Sequence, residues 1–402
     1  MVPKGWVLGC VGDLLISLES GVSVNGEDRH AQPGEKSVLK VSAVSYGFFD
    51  SKASKVIDKN EISRAKTKPR AGQVIVSRSN TELFVGASAY VDKDYQDIFL
   101  PDKLWQTVPK PDSNMKWLSY VLASEYARYT LSKLATGTSG SMKNITKGEL
   151  LNLKILIPPH KEQKKIAQIL SVWESAIAIT QQMIINSEQQ KKALMHQLLT
   201  GQKRFSEFSE EWITYKFEEL FTERVETGCE NLPLLSITTN EGVVYQEETG
   251  RKDTSNDDKS KYRRICKNDI GYNTMRMWQG RSSLSDKEGI VSPAYTIVIP
   301  NERVYPAFAA YLFKSHALIH VFYRHSQGLV SDTWNLKFSH FKKISWSIPK
   351  IEEQKVIAST LATSDLEIKL LQQKLHYLKQ EKKALMQQLL TGKRRVKVEP
   401  HD

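Results

Sequence analysis

The stretch KKALMHQLLTG, residues 191–201, returns as KKALMQQLLTG at residues 382–392, with the single change His196 to Gln387. The second copy stands 191 residues after the first, and that offset carries backwards without a gap. Glu162, Gln163 and Lys164 fall on Glu353, Gln354 and Lys355, and Ile166-Ala167 falls on Ile357-Ala358. Ile157-Pro158 falls on Ile348-Pro349, Asn144 on Asn335, Gly137 on Gly328 and Tyr120 on Tyr311. Nearer the start of each copy the register slips, as loops of unequal length require. Trp6 and Leu14 match Trp212 and Leu220 at an offset of 206. A match of this length does not arise by chance, so the chain is a tandem duplication ordered domain, helix, domain, helix.

Each helical segment opens on Ile-Pro. Proline is tolerated at a helix start and pushes the residue before it into extended backbone. Gly201 and Gly392 stand where a C-terminal cap glycine belongs, with basic residues just beyond. About 40 residues free of Pro and Gly lie between, enough for a helix of about 60 Å. A seam with 4-then-3 spacing runs along each. In the first it is Ile166, Leu170, Trp173, Ile177, Thr180, Ile184, Ser187, Lys191, Leu194, Leu198. In the second it is Ile357, Leu361, Ser364, Ile368, Leu371, Leu375, Leu378, Lys382, Leu385, Leu389. That spacing predicts a coiled coil. Lys191 and Lys382 occupy matching seam positions, where a lysine either fixes register or snorkels to water; near a coil end snorkelling is the expectation.

Only about ten residues separate Gly201 from Trp212, so the second domain has to begin close to the end of the first helix. A domain of about 145 residues is roughly 35–40 Å across and does not easily carry the chain back 60 Å. The second helix is therefore expected to run antiparallel to the first, with the globular domains at opposite ends. The expected boundaries are a first domain over 1–157, a long helix over 158–201, a second domain over 202–347, a second long helix over 348–392 and a basic tail over 393–402.

With 402 residues, 40% of them hydrophobic and 25% charged, the chain can build two or three domains and is not disordered. A net charge of +12 favours a polyanionic partner without proving one. Cys10, Cys229 and Cys266 are odd in number and far apart, which argues against a disulfide framework or a structural zinc. The sequence shows neither a signal peptide nor an apolar run of about 18 residues, so it reads as soluble and cytoplasmic.

Both globular regions read as mixed α and β. Strand-like runs stand at 73–77, 38–42 and 295–299, and helical patterns cover about 114–134 and 306–325. A turn of small and polar residues follows each helical pattern, GTSGSMKN at 137–144 and GLVSDTWN at 328–335. The fold class is α+β: two mixed domains, two long antiparallel helices and a pseudo-two-fold internal repeat. The loops carry groups that read base edges or hold phosphates. In the first domain these are Lys66, Lys68, Arg70, Arg78, Ser79, Asn80, Ser139, Ser141, Lys143 and Asn144. In the second they are Arg263, Arg264, Asn273, Arg276, Gln279, Arg281, Ser331, Asn335 and Lys337. Arg grips guanine bidentately and Asn or Gln grips adenine, while Lys and Arg on phosphate give salt-sensitive affinity. Trp278 could stack on a base, though loop packing is the expectation for it.

No dinucleotide loop, P-loop, paired-histidine metal spacing or amino-methyltransferase tetrapeptide is present. Glu353-Gln354-Lys355 has the spacing of a nuclease acid–lysine pair, but it lies on a repeated helix and reads as a solvated face. The chain reads as a binder that directs the chemistry of others.

The order IPPHKEQKKIAQIL to LLTG, then IPKIEEQKVIASTL to LLTG, resembles the DNA-specificity subunits of Type I restriction-modification systems over nearly the whole chain. PKGWVLGCVGDL at 3–14, SEEWITYKFEEL at 209–220 and GIVSPAY at 289–295 are similar to the same family; GASAY at 86–90 lacks the proline of that loop. The resemblance implies two target-recognition domains, each reading half of a split double-stranded DNA sequence, with the helices as a ruler for the unread spacer. It implies a non-catalytic chain in a bacterial or archaeal cytoplasm. Two modification subunits would bring S-adenosylmethionine and methylate adenine, and restriction subunits would bring ATP and Mg for translocation and cleavage. Two rival readings stand beside it. A duplicated coiled-coil scaffold that binds only proteins would show weak DNA affinity without sequence preference, and a stand-alone nuclease or methyltransferase would turn over unaided.

Overall fold

The computed structural model describes residues 2–139, 142–238, 242–250, 257–329 and 333–398, with the backbone alone at 138–139. It divides into two compact units, one of residues 1–179 with 375–402, the other of residues 180–374. The division runs through the long helices rather than at their ends. Helix α4 spans His160–Leu199 and helix α8 spans Ile351–Leu390. Each unit thus owns the first part of one long helix and the last part of the other.

In the first unit, an antiparallel sheet orders its strands Ser88–Tyr90, Val74–Ser77, Leu104–Pro109, Leu15–Ser20. Its apolar residues pack with Trp105, Trp117, Leu118 and Leu131. The helical pattern predicted over 114–134 is two helices, α1 (Met115–Ala123) and α2 (Glu125–Leu134). Ser124 breaks it. Its backbone is extended and its side chain accepts from the amide of Ala127, so it caps a new helix instead of continuing the old one. The predicted strand at 38–42 holds only over Ser37–Leu39 and then tightens into a 3-10 turn at Val41–Ala43. A short helix α3 (Lys147–Leu151) with a Thr146/Glu149 capping box precedes strand Lys154–Ile157. That strand pairs antiparallel with Val7–Cys10, setting the start of the chain beside the entry to α4.

The second unit repeats this plan. Strands Phe221–Arg224, Tyr295–Pro300, Ile270–Asn273 and Ser282–Leu284 form its antiparallel sheet. The pattern predicted over 306–325 is again two helices, α5 (Pro306–Leu312) and α6 (His316–His325). Here Ser315, the counterpart of Ser124, caps the second by accepting from Leu318. The core is richer in rings: Phe217, Phe221, Phe313, Phe322 and Phe341 form one connected cluster. Phe341 comes from the short helix α7 (Phe338–Phe341). Strand Ile213–Lys216 pairs with Ser345–Ile348, the counterpart of the pairing at the entry to α4.

Within each unit the long helices run antiparallel. In the first, Glu174 of α4 meets Lys382 of α8 while Glu162, further back, meets Arg395, further on. In the second, Lys191 meets Asp365 and Arg204 meets Glu353. No residue of either predicted seam is exposed. Ile166, Leu170, Ile184 and Leu198 are buried on α4, as are Ile357, Leu361, Ile368 and Leu389 on α8. Trp173, Ile177, Leu194, Leu371, Leu375, Leu378 and Leu385 are partly covered. Gly201 and Gly392 end the helices with φ of 72° and 69°, a left-handed conformation that suits glycine.

Candidate DNA interface and the joints that carry it

The joints are built first, because they fix where the loops stand. The first turn of each long helix presents a Glu-Gln pair, and the one at Glu353-Gln354 reads from sequence as part of a solvated face. The structure corrects this. The Glu353 side chain is 3% exposed and Gln354 is fully buried; only Lys355 faces solvent. Gln354 donates to the carbonyls of Pro349 and Arg303 and accepts from the amide of Tyr305. Gln163 likewise donates to Pro158 and accepts from Asn114, the cap residue of α1. A buried amide saturated in this way ties the long helix to the domain. Glu353 takes a bidentate grip from Arg204, at 2.9 and 2.7 Å. Glu162 takes the matching grip from Arg395 and a further bond from the Trp6 indole at 3.1 Å. A buried carboxylate needs such a partner, and the first turn of a helix favours its charge. Arg395, within the basic segment expected over 393–402, is thus docked on Glu162.

The seam lysines are corrected as well. Neither reaches out to water. Lys382 binds Glu174 at 2.9 Å and Lys191 binds Asp365 at 2.5 Å. A tyrosine hydroxyl closes each pair, Tyr120 on Glu174 at 2.8 Å and Tyr311 on Asp365 at 2.7 Å. Burial pushes both phenols up. Burial also works to raise Glu174, but Lys382 and Lys116 outweigh it and hold that carboxyl below its ordinary range. An acid, a lysine from the other helix and a tyrosine thus set the register in both units.

In the first unit, backbone pairing gathers four of the predicted contact residues. Strand Met142–Asn144 lies antiparallel to Ser79–Asn80, with Lys143 opposite Asn80 and Asn144 opposite Ser79. Gly137 permits the turn: at φ 148° a Cβ there would stand 2.4 Å from the Met142 carbonyl oxygen. Gly328 does the same in the second unit, at φ 151°. Arg78 adjoins this ribbon, and its Nε is buried without a hydrogen-bond partner among the described residues. Ser79 is buried, and Lys143 donates to the Gly137 carbonyl. Ser141 lies outside the described residues, as does the Ser139 side chain. Lys66, Lys68 and Arg70 line a separate polar cleft. There the Arg70 guanidinium is paired with Glu19, whose carboxyl it holds low, and Lys68 lies over the Phe99 ring.

In the second unit the predicted residues separate into paired and free. Arg263 binds Glu223 at 2.6 Å, and Arg264 binds Glu226 and Glu288 at 2.7 and 2.5 Å. Arg264 and Arg224 together hold the Glu226 carboxyl below its ordinary range. These arginines are committed to the strand frame. Arg276, Gln279 and Arg281, on the loop between strands Ile270–Asn273 and Ser282–Leu284, have no side-chain hydrogen bond or ion pair among the described residues. The Asn273 side chain accepts from the amide of Met275. The amide of Leu336 donates to the Thr274 carbonyl, which draws Asn335 and Lys337 to the same edge. Trp278 packs edge-on to Trp334, its ring donating to the Met275 carbonyl, as expected of a loop-packing tryptophan. Ser331 lies outside the described residues.

Sequence reading missed Arg204, Arg395, Glu174, Asp365 and the roles of Tyr120 and Tyr311. The signal was available, since each pair recurs at the 191-residue offset in the same chemistry. Among the described residues no group of three or more His, Cys, Asp and Glu is placed to hold a metal, and no helix is long and apolar enough to cross a membrane.

Residues 3–189 and 210–380 match the family described as Type I restriction modification DNA specificity domain. The Type I restriction enzyme MjaVIII specificity subunit of Methanocaldococcus jannaschii is 23% identical over 433 residues, covering 98% of this chain and 94% of that one. The crystal structure of a Type I restriction-modification S subunit from M. genitalium superposes with a TM-score of 0.59 at 15% identity, covering 96% of each chain. The HsdS subunit from Thermoanaerobacter tengcongensis superposes with a TM-score of 0.52 at 15% identity, covering 97% of this chain and 98% of that one.

Proposed function

We propose, from the premise that this chain belongs to the family of Type I restriction modification DNA specificity domains, that each of its two units reads one half of a bipartite double-stranded DNA target. The chain itself is a specificity component that recognises DNA and works with other restriction-modification subunits. Its partners would be two modification subunits that use S-adenosylmethionine to methylate adenine, and restriction subunits that use ATP and Mg.

One observation carries the reading. The two units repeat their joints residue by residue, yet the loops at their edges differ in sequence and in free donor groups. Arg276, Gln279 and Arg281 in one unit have no counterpart in the Ser79–Asn80 and Met142–Asn144 ribbon of the other. A duplicated frame with unequal loops suits one task performed on two different base sequences. Arg and Gln on a loop can reach O6/N7 of guanine and N6/N7 of adenine, while the lysines supply phosphate affinity. The two long helices would set the length of the unread spacer.

The test is to express this chain with its modification subunit in a methylation-free host and to map methylated adenines across the genome. A split motif with two defined halves and a fixed gap supports the reading. Methylation at a continuous short motif, or none above the host without the chain, counts against it.

A further inference from the structure

The first unit holds a cleft of about 660 Å³ that, apart from the seam residue Lys382, the joints and loops above do not use. Residues 379, 382, 383, 386, 387 and 390 of α8, with Thr391 just past its end, form one wall, a stripe about 18 Å long. The start of α2 and the strand Lys154–Ile157 form the other. Val121, Ile155, Leu156, Met386 and Leu390 make the floor apolar. Its rim is cationic. Lys154 and Lys379 make no ion pair among the described residues, and Arg128 lies 3.8 Å over the Tyr46 ring with no carboxylate bound. The single acid of the lining, Glu125, is shared with Lys383 across the mouth at 2.6 Å.

The other unit does not repeat this chemistry. At the 191-residue offset, Ala123 becomes Lys314, Ile155 becomes Trp346, Lys154 becomes Ser345 and Lys379 becomes Glu188. Bulk replaces the floor; with Arg128 also becoming Ile319 and Glu125 becoming His316, the lining gives up three cations and an acid and gains only Lys314 and Glu188. The joints and most of the α8 wall are kept between the copies, while the facing wall, the floor and the rim charges are not, so the cleft as the first unit builds it serves something other than the shared frame.

We propose that the cleft is a docking site, present once per chain, for an acidic amphipathic α-helix of a partner protein. The apolar floor between two walls takes one face of a helix of about three turns, the length of the α8 stripe. Lys154, Lys379 and Arg128, none of them bound to a carboxylate among the described residues, select glutamate or aspartate on its flanks, and Lys383 can exchange Glu125 for the incoming acid. The inference does not rest on DNA reading, and its test contains no DNA.

The probe is a labelled 16-residue helical peptide with leucines on one face and glutamates on both flanks, titrated against the full chain by fluorescence anisotropy. A control peptide carries lysine at each glutamate. The chain variant Ala123→Lys/Lys379→Glu places in this cleft the residues that the other unit carries at the same positions. The acidic peptide should bind the wild-type chain at least tenfold more tightly than the basic one, and the variant should lose at least tenfold at an unchanged melting temperature. Equal binding of the two peptides, no saturable binding, or full binding to the folded variant would overturn the proposal. Should the variant fail to fold, the peptide comparison on the wild-type chain decides alone. Sedimentation equilibrium adds one further outcome: a dimer of the chain that Lys379→Glu abolishes would assign the cleft to a second copy and also overturn it.

Discussion

Arg395, three residues past the glycine that ends the second long helix, closes on Glu162, 233 residues upstream in the first turn of the first long helix. Arg204 closes on Glu353 in the same way in the other unit. The joint of each unit is therefore made by the tail of one long helix and the start of the other. Arg395→Ala leaves Glu162 buried beside Trp6 without its cation. Because Arg395 is itself 40% exposed, the expected loss is about 1–2 kcal/mol rather than the larger cost of breaking a fully buried pair. For a unit of this size that lowers the melting temperature by about 3–6 °C. Differential scanning calorimetry checks it, and Glu162→Gln in the Arg395→Ala background should recover part of the loss.

The seam pairs predict a pH dependence. Glu174 is held below its ordinary carboxyl range by Lys382 and Lys116. Its contribution is therefore present above the unfolded carboxyl value and is lost as pH falls through the lower, folded one. Melting curves from pH 7 to pH 3 should show the first unit losing stability in the acid range. Glu174→Gln should be less stable than the wild type at pH 7 and should flatten that fall. Parallel curves for the two proteins would show that the pair does not couple to folding.

The free and the paired arginines should behave differently on DNA. Arg276→Ala and Arg281→Ala are each expected to weaken binding to the cognate site by about 1–3 kcal/mol if they touch bases, or to lower the salt slope by about one if they touch phosphate. Arg263→Ala, which leaves Glu223 without its partner, should lower the melting temperature more than it changes sequence preference. Binding isotherms across a salt series, set beside melting curves, separate the two classes.

The duplication, the long helices and their seams were legible because repeated helix patterns are local and periodic. The two broken helices were not. A single serine, Ser124 or Ser315, turns the chain where the apolar spacing alone reads as continuous. The joints were half legible. The residues could be aligned between copies, but a Glu-Gln pair on a helix looks solvated until the arginine that covers it is found, and that arginine lies far along the chain. Contact residues were legible by type and not by availability. Whether an arginine is free, as at Arg276, or held, as at Arg264, depends on carboxylates brought by other strands.

The division of labour between the units is tested most directly by exchanging residues 202–347 for the corresponding region of a relative with a different target, then mapping methylated adenines with the same modification subunit. The account predicts a hybrid motif: one half-site changes to that of the donor, the other stays, and the gap stays. Both half-sites remaining as they were, or both changing together, would contradict it.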